Sequence, residues 1–216
     1  MAYSGLMLDF GGVILKTPFE MHRLVEKKLN LPNHSLNWYG PFDPYSDLLW
    51  QRMQADEITE QDYWKSKSLE VGKLTREKWS LRDYMNCCYR GFDEEEIIRE
   101  EAKALVSEVK KWNISVGILT NELEYFHGIE WMDSLKILNE MDYLVDGSKT
   151  KILKPNPKAY EIAIEESGLK KKEIIFIDDQ RRNVKGANDI NLFTIHFDVT
   201  SPKTSFESAL TLFELN

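Results

Sequence analysis

The sequence predicts an α/β protein: a doubly wound parallel sheet with a helical segment inserted after the first strand. Three observations carry this. Short apolar runs at 5–8, 114–119, 174–177 and 192–197 are bounded by Gly, Asp, Asn or Thr, as expected of strands covered on both faces. Amphipathic helical stretches alternate with the later runs, the pattern of a parallel sheet. Between 17 and 95 that alternation stops, and no run there reads as a strand.

Taken in order, the run at 5–8 is the first strand. The segment 17–95 follows, with helical patches carrying Trp50, Met53, Tyr63, Trp64, Leu69, Trp79 and Tyr84, punctuated by Gly40-Pro41 and Pro44. Its tryptophans, Trp38 among them, are expected to pack a small helical module rather than line a pocket. Ile98, Ala102, Leu105, Val109 and Trp112 then recur at helical spacing and lead into the strand at 114–119. Residues 143–145 offer a fifth strand. Asn156 is a fitting N-cap and Pro157 a fitting first helical residue. Tyr160, Ala163, Ile164 and Ser167 share a face, and Gly168 can end that helix in a left-handed conformation. The charge runs 94–96 and 170–172 read as solvated helix ends. The expected organisation is an α/β core of 1–16 with 96–216 and a helical cap domain of 17–95.

Composition narrows the function. The net charge of −8 in 216 residues disfavours a general nucleic-acid binder, which needs clustered Lys and Arg. The only cysteines, Cys87 and Cys88, are neighbours and lack the spacing of a disulfide framework or a CxxC metal site. His22, His34, His127 and His196 share no spacing, which argues against zinc. No apolar stretch approaches the ~20 residues of a membrane span, and nothing resembles a signal peptide. The expectation is a cytoplasmic protein, monomer or homodimer, with no membrane or nucleic-acid partner.

Ligands of open α/β sheets bind at the carboxyl ends of strands, and four polar motifs fall there. Asp9 ends the first strand and precedes Gly11 and Gly12, which let backbone approach a ligand closely. Thr120 and Asn121 follow the second strand, where a hydroxyl and backbone N–H groups can hold phosphate oxygens. Lys154 stands in a rigid turn, Lys154-Pro155-Asn156-Pro157, ahead of a helix. Asp178 and Asp179 follow the strand at 174–177, with Asn183 beyond. Two adjacent acids after an apolar strand suit a hard cation such as Mg²⁺.

Asp, Thr, Lys and Asp-Asp in this order resemble the haloacid dehalogenase superfamily over nearly the whole chain. The similarity is to the capped branch that includes the phosphatase domain of soluble epoxide hydrolase and small sugar phosphatases. Gly11-Gly12-Val13-Ile14, Lys154-Pro155-Asn156-Pro157, Ile177-Asp178-Asp179 with Asn183, and the 58–64 stretch Ile-Thr-Glu-Gln-Asp-Tyr-Trp carry it. The resemblance implies a Rossmann-like core and a Mg²⁺-dependent phosphatase acting on a small phosphorylated metabolite. It implies that Asp9 is the nucleophile, and that Asp9, the Gly11 carbonyl, Asp178 and Asp179 hold the metal, with Asn183 behind them. Lys154 and Thr120 would be catalytic, and Gly11, Gly12, Thr120, Asn121 and Lys154 would bind the phosphoryl group.

One position departs from that pattern. Phosphatases that this chain resembles usually carry a second Asp two residues after the nucleophile, as general acid and base; here Gly11 stands in its place. Such help is worth roughly 10²–10⁴ in rate. The departure leaves three readings: substrates with good leaving groups, a replacement acid in 17–95 such as His22, Glu20 or Asp43, or a protein that only binds phosphate. A 2-haloacid dehalogenase also lacks the second Asp, but the intact acid pair argues against it, and Arg23 is the only nearby candidate for the arginine that would take the halide.

Overall fold

A computed structural model describes residues 3–214. The chain divides into two compact units, one of residues 3–15 with 94–214, the other of 16–93.

The first unit is built on a parallel five-stranded sheet, β1 (Gly5–Leu8), β2 (Ser115–Thr120), β3 (Tyr143–Asp146), β4 (Ile174–Asp178) and β5 (Phe193–His196). Their spatial order is β3-β2-β1-β4-β5. The chain leaves β1 toward β2 and β3, then returns to the other side of β1 for β4 and β5. The strand order therefore reverses between β1 and β4, where ligands of such sheets bind. Leu6 faces Val116 and Ile175 across the ladders, and Leu8 faces Ile118 and Ile177. All six are buried, as are Met7, Phe176 and Leu119 on the other face, which is why these strands read as continuous apolar runs. The helices Pro157–Ser167 and Arg181–Asp189 pack together over the face that carries Met7, Phe176 and Tyr143. The helices Glu100–Lys111 and Pro202–Glu214 pack against each other. Gly117 is required by packing, since a Cβ there would lie 2.1 Å from the Tyr143 ring.

The unit of 16–93 contains the helices His22–Lys28, Leu48–Gln54, Glu60–Thr75 and Leu81–Tyr89, and no strand among its residues. Two of these helices begin with reciprocal capping boxes, Thr59 with Asp62 and Ser80 with Asp83, each satisfying two otherwise orphaned donors. An aromatic cluster of Phe19, Trp38, Trp50, Tyr63, Trp64 and Tyr84 forms its core. Two polar groups inside that core have partners: the Tyr63 hydroxyl donates to Asp47 at 2.7 Å, and the Lys67 ammonium lies 5.0 Å over the Trp38 ring. Among the tryptophans, Trp38, Trp50 and Trp64 are buried. Among the described residues no helix is long and apolar enough to cross a membrane.

Several expectations shift. Strand β2 starts and ends one residue later than the apolar run, so Thr120 is part of it. The helix Glu100–Lys111 stops before Trp112, which is its C-cap and is partly exposed rather than the end of a buried stripe. Leu69 faces solvent. Glu94 is not a solvated helix end: its carboxylate accepts from the backbone N–H groups of Lys136 and Ile137. The opposite outcome holds at 156–168, where Asn156 accepts from the Lys158 N–H, Pro157 opens the helix and Gly168 closes it in the left-handed region.

Candidate active site

Asp9 is the first residue beyond β1, and its N–H donates to the Ile177 carbonyl of β4 at 2.9 Å. That bond prolongs the ladder by one step and fixes the aspartate at the carboxyl edge, beside the place where the strand order reverses. The chain then turns sharply. Ile14 and Leu15 donate to the Phe10 carbonyl, and Gly12 donates to the Leu15 carbonyl at 2.9 Å. Gly12 sits at φ +83°, and a Cβ there would lie 2.6 Å from the Asp179 carboxylate. Only glycine allows both the left-handed backbone and this close approach.

Lys154 comes from the turn after β3, and its ammonium is almost completely buried. It meets Asp9 Oδ1 at 2.9 Å and Asp178 Oδ2 at 2.6 Å, and donates to the Leu119 carbonyl at 2.8 Å. A reciprocal pair holds its backbone: Lys154 N–H donates to Asn121 Oδ1 at 2.7 Å, and Asn121 Nδ2 donates to the Lys154 carbonyl at 3.1 Å. The Asn121 side chain is thus committed to placing the lysine. Thr120, last residue of β2, is buried one position before it.

Asp178 ends β4 and is fully buried. Besides Lys154 it accepts from the Gln180 N–H at 2.8 Å and from Asn183 Nδ2 at 3.1 Å to each oxygen. These bonds use its lone pairs to hold the lysine and the following helix. Asp179 is less buried, and His196 at the end of β5 reaches its carbonyl through Nε2 at 3.0 Å.

Asp9, Asp178 and Asp179 each present a carboxylate oxygen, all within 4.8 Å of one another. A third carboxylate, Asp179, thus stands beside the two that meet the Lys154 ammonium, a set that a dication can share. Asn183 Oδ1 is buried with no hydrogen-bond partner, an acceptor that a hydrated cation can satisfy. The donor set is all oxygen, which fits Mg²⁺.

Burial, the largest influence, pushes the Asp9 carboxyl up to about 7; Lys154 pulls it down and Asp178 pushes it up. For Lys154, burial works against the charge, but the Asp178 and Asp9 carboxylates outweigh it and hold the ammonium above its ordinary range. The raised Asp9 value makes its ionisation a cost to the fold. The stability it contributes is intact below the unfolded value and is lost as pH rises through about 7. Asp9→Asn stays neutral, so in EDTA it is expected to melt above the wild type by an increment near zero at pH 4 that grows toward pH 8. The rise from 3.8 to about 7 bounds this at about 4 kcal/mol. Thermal unfolding across that range checks it, and a pH-independent difference would contradict it.

The sequence reading missed Arg99. It is 3% exposed, its Nε donates to the Gly12 carbonyl at 3.1 Å, and its guanidinium lies 5.5 Å over the Phe197 ring. One arginine after two isoleucines gives no local sign of this contact, which spans 87 residues. Of the residues in 16–93 considered as replacement acids, Glu20 accepts from the Thr17 N–H and hydroxyl. His22 is buried among Phe19 and Trp38, and burial pushes its imidazole down to about 4.

A family model described as haloacid dehalogenase-like hydrolase matches residues 3–191. Acyl-CoA dehydrogenase family member 10 of Mus musculus is 22% identical over 200 residues, 91% of this chain and 18% of that protein. The phosphoglycolate phosphatase of Photorhabdus laumondii is 30% identical over 87 residues, 40% of this chain and 37% of that protein. The chain thus spans well under half the length of these relatives. The HAD-hydrolase YfnB from Bacillus subtilis, whose structure is bound to magnesium, shares the fold at a TM-score of 0.66 and 17% identity, over 91% of this chain and 87% of that one.

Proposed function

The chain belongs to the haloacid dehalogenase-like hydrolases, and on that footing we propose that it is a Mg²⁺-dependent phosphomonoesterase acting on a small phosphorylated metabolite. The observation that carries this is the buried Lys154 ammonium, set between Asp9 and Asp178 beside the second acid of the pair. The likeness to a phosphoglycolate phosphatase over 87 residues supports it.

An Asp9 carboxylate oxygen attacks phosphorus, the bond to the leaving oxygen breaks, and the leaving group departs as alkoxide or carboxylate, the alkoxide taking its proton from water. Water then hydrolyses the aspartyl-phosphate, releasing phosphate and restoring Asp9. Lys154 favours the ionised Asp9 needed for the attack and offsets charge on the phosphoryl oxygens. Thr120 and the Asn121 backbone hold the transferring group in line with Asp9. Asp9, the Gly11 carbonyl, Asp179 and Asp178 are the residues that would hold Mg²⁺, with Asp178 and Asn183 serving mainly as hydrogen-bonded support. Bound there, the ion supplies neutralisation of phosphoryl charge. The unit of 16–93 acts as the cap that selects the substrate, and the protein works in the cytoplasm as a monomer or homodimer.

Gly11 favours a second reading, a protein that binds phosphate with little turnover. A dehalogenase, which attacks carbon and needs no metal, has no use for Asp179 beside Asp9 and Gly12. Hydrolysis of p-nitrophenyl phosphate and acetyl phosphate, with Mg²⁺ or EDTA, separates these. We expect Mg²⁺-dependent turnover of both by the wild type and none by Asp9→Asn. Phosphate binding without turnover supports the second reading.

A further inference from the structure

We infer that Arg99 is a positioning residue that stiffens the Asp9-Phe10-Gly11-Gly12 loop from outside it. Two adjacent glycines give this loop no side chain to restrict its backbone, and glycine is the residue with the most conformations to lose. Something else has to hold it. The Gly12 N–H donates to the Leu15 carbonyl. Because a trans peptide is planar, this aims the Gly11 carbonyl the opposite way. The next peptide is held from its other side, where Arg99 Nε donates to the Gly12 carbonyl at 3.1 Å. The Arg99 backbone N–H meets the Ile14 carbonyl at 2.9 Å, and its guanidinium rests on the Phe197 ring. Gly12 is therefore held at donor and acceptor, and a side chain on its Cα would collide with the Asp179 carboxylate. Both groups proposed to hold the metal on this loop, Asp9 and the Gly11 carbonyl, inherit that rigidity.

The backbone contact to Ile14 survives any substitution, so side-chain variants report on what the guanidinium holds, the Gly12 carbonyl included. Arg99→Met, Arg99→Lys and Phe197→Leu are compared in the full chain by amide hydrogen exchange and by calorimetric titration with Mg²⁺ alone. Arg99→Met is expected to speed exchange of the Gly12 amide about ten-fold while the Leu6 and Leu8 amides keep wild-type rates, and to weaken Mg²⁺ binding about ten-fold. Arg99→Lys, which can still donate to the Gly12 carbonyl, is expected to recover most of both. Phe197→Leu is expected to lower the melting temperature and leave both readouts within about two-fold. Unchanged Gly12 exchange in Arg99→Met, or the same general rise in Arg99→Met and Phe197→Leu, overturns the assignment. The Mg²⁺ arm rests on the proposed function and the exchange arm does not. A wild type that takes up no Mg²⁺ overturns that function and leaves Gly12 exchange to decide on Arg99.

Discussion

Lys154→Met is expected to cost both turnover and fold. Its ammonium meets Asp9 at 2.9 Å and Asp178 at 2.6 Å, with the lysine side chain 1% exposed. Removing one member of a buried ion pair leaves its partners charged and unmatched, a loss of about 3–5 kcal/mol. Turnover of p-nitrophenyl phosphate should fall by roughly 10³, the scale of losing one preorganised electrostatic group. The two effects separate in a double variant. Lys154→Met with Asp9→Asn removes one of the stranded carboxylates, so it should recover part of the stability and none of the activity. Denaturant unfolding and steady-state assays of the four proteins check this. An Asp9→Asn substitution that shifts stability by the same amount with and without Lys154 would show that the two are not coupled.

Gly11→Asp carries the second large effect, in the opposite direction. No atom lies within 4 Å of a Cβ built at Gly11, and Gly11 is not among the residues of positive φ. The residue is exposed, so an aspartate fits there without strain or a buried charge. By its resemblance to related phosphatases, that position supplies the proton to the leaving group. An added acid is worth most where the leaving alkoxide is a strong base. Turnover of glycerol phosphate should rise roughly 10²-fold, and turnover of p-nitrophenyl phosphate should change little. The ratio of the two rates is the measurement. A ratio that stays at the wild-type value would mean that proton transfer does not limit this site, or that another group already performs it.

How much of this was legible in the sequence depended on range. The signals at 156–168 are local, a cap, a proline and a terminal glycine, and each acts through its own neighbours. Strands buried on both faces announce themselves by continuous hydrophobicity, though β2 is offset by a residue: apolar Ile114 lies outside it and Thr120, a hydroxyl residue that hydrophobicity does not mark, lies inside. Asp9, Lys154 and the acid pair were readable from their places after strands, and the structure brings their side chains together. The contacts that hold them were not readable. Asn121 reaches 33 residues to clamp the Lys154 backbone, and Arg99 reaches 87 to the Gly12 carbonyl. Neither residue type differs from a surface polar group until the chain is folded. Glu94 misled for the same reason: in a run of three glutamates, nothing marks the one that caps Lys136 and Ile137.

In the proposed reaction Asp9 carries the phosphoryl group. Acid quench of the protein during turnover of acetyl phosphate with Mg²⁺, followed by peptide mass spectrometry, tests it most directly. One alkali-labile phosphoryl group is expected on the peptide containing Asp9, absent in Asp9→Asn and in EDTA. Turnover with that peptide unmodified at every quench time, or the modification on another residue, would contradict it.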